Sequence, residues 1–313
     1  MKIISVINYK GGVGKTSVSA NLAAELAWSG HRVLLLDMDA QASLTFSFIK
    51  PEEWEKDYAD RKTIKAWFDS ISESQPVPIS DLIFTPPRVA AALRSSGTQG
   101  RLDLVASHLG LINVDLELAT QLSGGTLAQV KASYLRVHRR LAEGLRSIDP
   151  SRYDLVLIDC PPNFNIVTKN ALVASEGILI PAKPDYLSTL GIDYLRRSVH
   201  DLVTEYNDFA ASHSSPLVAA IDPKIVGVVF TMIEPRSGEP IAALRPFIRR
   251  TEELGLPVFH AWLRENKNFY ADAPQYGIPV VLLAASNDAQ RSVISEIKEF
   301  AAEFLNKLGT FTS

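Results

Sequence analysis

Residues 8–17 read NYKGGVGKTS, and the tail of that stretch, Gly14-Lys15-Thr16, carries the groups a triphosphate requires. Glycines let a backbone approach a polyphosphate closely and turn its N–H groups inward. A helix beginning near Lys15 adds its N-terminal dipole and free N–H groups to the same anion. The Lys15 ammonium then acts as a point charge at the outer phosphates, and the Thr16 hydroxyl as a Mg2+ ligand. The head of the stretch is unusual. The general motif G-x-x-x-x-G-K-[ST] has glycine where this chain has Tyr9, and a second lysine, Lys10, follows it.

Three carboxylates fit the same chemistry. Asp37 and Asp39 stand where the run VLLLD ends, and Asp159 where YDLVLID ends. In a doubly wound sheet, ligands bind beyond the carboxyl ends of the strands. Asp159 reads as an acid that holds Mg2+ through water, and one of Asp37 and Asp39 as the group that orients or activates the attacking water. A lone aspartate at a strand end is more often a cap or turn residue. Three of them with a phosphate loop reverse that reading.

The elements that must position these groups are legible as continuous apolar runs. KIISVIN (2–8), RVLLLD (32–37), YDLVLID (153–159), GILIPA (177–182), KIVGVVFT (224–231) and IPVVLLA (278–284) read as strands buried on both faces. Between the first two, Val18, Leu22 and Leu26 recur at helical spacing and Gly30 ends the pattern. The expected fold class is α/β, a doubly wound, mostly parallel sheet flanked by helices, in a single domain over 1–313. Residues 47–100, rich in proline, charge and turn formers, read as a surface excursion with one short helix near TIKAWFDSI.

Composition narrows the function classes. The longest apolar runs fall far short of the ~20 residues that span a bilayer, and the start of the chain does not read as a signal peptide. A single cysteine, Cys160, permits no intrachain disulfide and no multi-thiolate cluster, so it reads as a packing residue in a cytoplasmic protein. With a formal charge of −3, DNA binding requires a local basic patch. The last helix, about 289–308, places Val293, Ile297, Phe300, Phe304 and Leu308 on one face. Its other face mixes Glu296, Glu299 and Glu303 with Lys298 and Lys307, which suits core docking better than anionic lipid.

KGGVGKT resembles the deviant Walker A loop of the ParA/MinD class of P-loop ATPases. LLLDMDAQAS resembles the Walker A′ element of ParA-type partition ATPases, and YDLVLIDCPPNFNIVTKNAL their Walker B segment. IPAKPDYLSTLGID, GVVFTMIEPRSG and DAPQYGIPVV resemble later elements, so the likeness runs from about residue 2 to about residue 308. It implies ATP and Mg2+ as cofactors, with Lys10, Gly11, Gly12, Val13, Gly14, Lys15, Thr16, Ser17 and Met232 at the nucleotide. It implies that Lys10 reaches across an ATP-bound homodimer to the phosphates of the other subunit, while Lys15 acts in cis. Asp39 takes the hydrolytic role, and Thr16, Asp37 and Asp159 lie at the metal.

Two departures stand out: Ala40 replaces a usual proline, and Asn266 in LREN stands where the family often has arginine. The resemblance further implies nonspecific double-stranded DNA and a ParB-like activator as partners, with nucleoid association in the ATP state and no membrane. Arg236, in the loop after FTM, with Arg249, Arg250, Arg264 and Lys267, are the candidate DNA contacts. A second basic group, Arg136, Arg139, Arg140 and Arg146, reads as a solvated or interface surface. The absence of a helix-turn-helix ahead of the loop argues against operator repression. The alternatives are a positioning ATPase for a protein cargo and a MinD-like membrane switch.

Overall fold

The computed structural model describes residues 1–212, 218–236, 239–240 and 242–310. Its centre is a sheet of six strands: β1 (Lys2–Val6), β2 (Arg32–Asp37), β3 (Arg101–Val105), β4 (Leu155–Asp159), β5 (Gly177–Ala182) and β6 (Lys224–Phe230). Their order is β3-β2-β4-β1-β5-β6, and every pairing in the sheet is parallel. Strand residues alternate between two apolar layers, as a period of two requires. Val33, Leu35, Leu155 and Leu157 face the helices Lys15–Trp28 and Asp288–Thr310. Leu34, Leu36, Val156 and Ile158 face the helices Arg140–Arg146, Ile166–Ala174 and Tyr186–Ala211. From β1 the chain first crosses to β2 and later returns on the other side to β5, so the strand order reverses beside β1, and ligands gather at such a switch point.

Three expectations are corrected. IPVVLLA is not a strand: Val280–Leu282 is a single 3-10 turn, and the Val281 N–H donates to Asn21 Oδ1 on the first helix at 3.1 Å. The edge of β6 is instead covered by residues 257–263, whose backbone bonds pair Val228 with Pro257 and Phe259, and Phe230 with Leu263. β3 was not expected, because its sequence RLDLV interrupts the apolar run with Asp103. That carboxylate is fully buried in the sheet and accepts from Arg101, Thr85 and Tyr153, which removes the cost of placing a charge there.

The third correction concerns 47–100, which contains three α-helices, Pro51–Asp57, Ile64–Ser72 and Pro87–Ser96. It buries Phe48, Trp54, Trp67, Phe68, Val89 and Leu93 in the main core. Pro51 and Pro87, which read as loop markers, occupy first-turn positions where the missing N–H costs nothing. The turn that leads into β3 packs tightly on the end of the first helix: a Cβ on Gly100 would lie 1.8 Å from the Ala27 carbonyl oxygen. Gly100→Ala should therefore lower stability by about 1–3 kcal/mol in urea unfolding. An unchanged midpoint would show that this turn is free to move off the helix.

The basic group before β4 is only partly a solvated surface. Arg140 is 9% exposed and donates to Gln121 Oε1, while Arg136 and Arg146 are exposed. Between them His138 is buried, with Nδ1 2.8 Å from the Tyr134 carbonyl oxygen and Nε2 without a partner among the described residues. Burial pushes its pKa down to about 4. With the folded value below the unfolded one, the unfolded chain binds the extra proton, so stability falls as pH drops from about 6.5 towards 4. The loss reaches about 3 kcal/mol at most. Urea unfolding across this window should show the slope in the wild type and a flatter one in His138→Phe; equal slopes would assign the acid sensitivity elsewhere.

Candidate functional site: a two-chambered nucleotide cleft

β1 delivers residues 8–14 to the switch point as a loop, and Gly12 (φ 69°) and Gly14 (φ 79°) take left-handed backbone that other residues resist. Gly14 precedes the first helix and offers no side-chain cap, which leaves the first N–H groups of Lys15–Trp28 free for an anion. Lys15 is buried under the loop, its Nζ 3.4 Å from the Lys10 carbonyl oxygen. Burial lowers its pKa, while Asp159 and Asp39 act in the opposite sense.

One helical turn presents two hydroxyls to Asp159: Thr16 Oγ1 donates to Oδ2 at 3.0 Å and Ser19 Oγ to Oδ1 at 2.8 Å. Asp37 is the register partner of Asp159 across β2 and β4. Its carboxylate accepts from the Thr45 N–H and hydroxyl, both at 2.8 Å, and from the Asp39 N–H at 3.1 Å. Both buried carboxyls titrate above the usual range. Burial is the main cause; the charge of Asp159 adds to it at Asp37, whereas the Ser19 hydrogen bond and Lys15 oppose it at Asp159. An all-oxygen donor set around mutually repelling carboxylates fits Mg2+, whose charge would relieve both. Thr16 and Asp159, hydrogen-bonded to each other beside the loop, are the residues that could hold such an ion. Asp37, as placed here, is turned towards Thr45 and braces the segment that carries Asp39.

The cleft has two chambers. One, of about 450 Å³, is lined by Gly11, Gly12, Lys15, Thr16, Asp39 and Gln41 among others. The second, of about 420 Å³, is lined by Lys183, Met232, Leu263, Asn266 and Tyr270 among others. Gly14, Ser17, Met232 and Tyr270 border both, and the combined size suits a nucleotide. Met232, a residue named from the sequence, sits at the junction with a positive φ of 54°. Val13 is buried behind the loop, where its carbonyl accepts from Thr231 Oγ1 at 2.8 Å. Sequence reasoning missed Ser19, Thr45, Lys183 and Tyr270; only Ser19 left a trace, one turn beyond Thr16 on the same helix face.

Lys10 points elsewhere. Its Nζ donates to both oxygens of Asp185, at 2.8 and 2.7 Å, and to Ser188 Oγ at 3.3 Å. Tyr9, the departure from the general motif, packs against Tyr194 and Phe164 with ring centroids 5.0 and 5.8 Å away. The loop is thereby pinned to the helix Tyr186–Ala211. That helix exposes Tyr186, Leu187, Leu190 and Tyr194 in its first turns, an unusually apolar surface beside a charged lysine.

The candidate DNA contacts separate. Arg249 and Arg250 are exposed on the helix Arg245–Glu253, and Arg250 lies over the Tyr186 ring, 5.8 Å from its centroid. Lys267 is exposed, 3.3 Å from Glu265. Arg264 is tied by side chain and backbone to Glu296 at 2.6–2.9 Å and braces the cleft wall. The Arg236 side chain lies outside the described residues. Among the described residues no helix is long and apolar enough to cross a membrane. The apolar face of the last helix docks in the core through Val293, Ile297, Phe300 and Phe304.

The family described as AAA domain matches residues 1–211. The sporulation initiation inhibitor protein Soj of Bacillus subtilis is 26% identical over 301 residues, 96% of this chain and 98% of Soj. The chromosome partitioning protein ParA of Caulobacter vibrioides is 28% identical over 282 residues, 90% of this chain and 87% of that protein. Among solved structures, apo McdA from Cyanothece superposes with a TM-score of 0.68 at 20% identity, covering 97% of this chain and 99% of McdA. A McdA variant in complex with ATP gives 0.67 at 19% identity, covering 99% and 96%. Loop, paired acids, parallel sheet and relatives agree, and the chain belongs to the AAA domain family as a ParA-type partition ATPase.

Proposed function

We propose that the protein is a Mg2+-dependent ATPase that closes into a homodimer around ATP and binds double-stranded DNA without sequence preference in that state. A ParB-like partner stimulates hydrolysis and returns it to the monomer. The observation that carries this reading is the division of labour between the two lysines. Lys15 is buried in the cleft, whereas Lys10 sits on the rim beside the exposed face of Tyr186, Leu187, Leu190 and Tyr194. A cation placed there is poised to serve a nucleotide held by a second copy, and the apolar face supplies the surface such a copy would cover.

Within each subunit the loop N–H groups and Lys15 bind and orient the phosphates. Thr16 and Asp159 hold the metal, which supplies charge neutralisation at the outer phosphates when bound. Asp39 lines the same chamber and orients the attacking water. The printed names of the relatives, chromosome partitioning protein ParA among them, support a partition role and nucleoid association. Arg249, Arg250 and Lys267 are the proposed DNA contacts, and Arg250 adjoins the proposed dimer face through Tyr186.

The test is duplex DNA binding with ATP and Mg2+ against ADP, across a salt series. Binding confined to ATP should weaken steeply with salt, the logarithmic slope growing by about 0.9 for each phosphate neutralised. The double variant Arg249→Ala/Arg250→Ala removes two arginines from each subunit and should flatten the slope of the dimer by about 4. No binding by nucleotide-loaded protein in either state would instead favour a protein cargo.

A further inference from the structure

We propose that Asp185 is a positioning residue for Lys10, holding the ammonium against its own subunit until a second ATP-loaded copy of the chain offers a stronger anion. The inference rests on the reading that Lys10 acts across a dimer, and concerns what must be undone before it can.

The parked position is built from both sides. The lysine's own backbone N–H donates to Asn8 Oδ1 at 3.0 Å, and Asn8 Nδ2 donates to the Pro181 carbonyl oxygen at the end of β5 at 2.8 Å. The loop is therefore fixed to the strand that leads into Asp185. Asp185 in turn caps the helix Tyr186–Ala211, accepting the Ser188 N–H at 2.8 Å. That helix is anchored in the core by Ile192, Leu195, Val199 and Leu202. Tyr9 against Tyr194 ties the two elements once more. An ammonium between a rigid loop and a rigid helix cap meets both carboxylate oxygens without ordering any mobile segment, so the pair forms at little entropic cost.

The pair is strong enough to occupy the lysine and weak enough to release it. Lys10 and Asp185 are 32% and 40% exposed, and pairs in that setting are modest because water screens them. A triphosphate brings several charges into a desolvated site and outcompetes one carboxylate; a diphosphate has less to offer. Asp185 therefore acts as a threshold that sharpens the contrast between ATP and ADP. Since two lysines must leave two aspartates in each dimer, the effect enters twice.

Asp185→Asn separates this role from helix capping, because asparagine caps as well as aspartate but carries no charge. Asp185→Ser, also a good cap, is the second variant. In analytical ultracentrifugation with ATP and Mg2+, both should tighten the dimer about fourfold to twenty-fivefold, roughly twofold to fivefold per lysine. Thermal stability of the nucleotide-free protein should fall only by the loss of this one modest, half-exposed pair, and the gain in dimerisation should shrink as salt screens it. The protein concentration for half-maximal ATPase should fall while kcat is unchanged. Lys10→Ala, run in parallel, distinguishes the two ideas. If Lys10→Ala is monomeric with ATP and neither Asp185 variant dimerises more tightly than wild type, the parking role is overturned and the cross-subunit role stands. If Lys10→Ala dimerises as wild type does, the underlying reading fails. In the proposed arrangement Lys10→Ala/Asp185→Asn behaves as Lys10→Ala alone.

Discussion

Lys15→Ala will abolish nucleotide binding, lowering ATP affinity by at least about a hundredfold, the usual cost of removing one member of a buried charge-assisted contact. The ammonium is the cation buried against the phosphate chamber, with the carboxylate of Asp159 behind it. Without it, Asp159 and Asp39 repel the incoming phosphates. The loss should be visible for ADP as well as ATP in calorimetric titration, since Lys15 acts within one subunit. Folding should survive, because among the described residues the Lys15 side chain makes a single hydrogen bond, at 3.4 Å, to the Lys10 carbonyl oxygen. Retained tight ATP binding by folded Lys15→Ala would refute the assignment of the loop.

Lys10→Ala should have the opposite profile. Mononucleotide affinity should change by less than about fivefold, because its ammonium is engaged with Asp185 and contributes at most a screened charge. The ATP-dependent dimer should disappear, and partner-stimulated hydrolysis should drop by about a hundredfold or more, the scale for losing one preorganised donor at a developing charge. The two lysine variants together separate binding from closure. If Lys10→Ala hydrolysed and dimerised normally, the lysine would be a surface residue with a local partner and nothing more.

The sequence made the candidate site more legible than the fold around it. Gly12, Gly14, Lys15, Thr16 and Asp159 are recoverable because phosphate chemistry restricts residue type and spacing together. Five strands were visible for a comparable reason: a parallel strand covered on both faces is an unbroken apolar run. β3 escaped because Asp103 breaks its run, and the partners that make the aspartate tolerable, Thr85 and Tyr153, lie 18 and 50 residues away in sequence. Residues 278–284 misled because a short apolar run looks the same whether its backbone bonds go to a neighbouring strand or, as here, to Asn21 and its own turn. In 47–100 Pro51 and Pro87 mark helix starts, and a proline in a first helical turn looks like a proline in a loop until the rest of the helix is in place. The Lys10–Asp185 pair had no local signature at all, since 175 residues separate its members.

The placement of β1 bears on how the protein is made. β1 lies between β4 and β5, its hydrogen-bonding partners beginning at Leu155 and Gly177. The back of its loop closes only on Thr231. On a ribosome adding about 5–20 residues per second, β1 and the loop wait roughly ten seconds or more for the strands that complete them. Throughout that interval KIISV is an apolar segment without partners, and pairing across such sequence separations is slow. A nascent chain thus cannot complete the loop until β4, β5 and Thr231 have emerged, and β1 needs shelter until then.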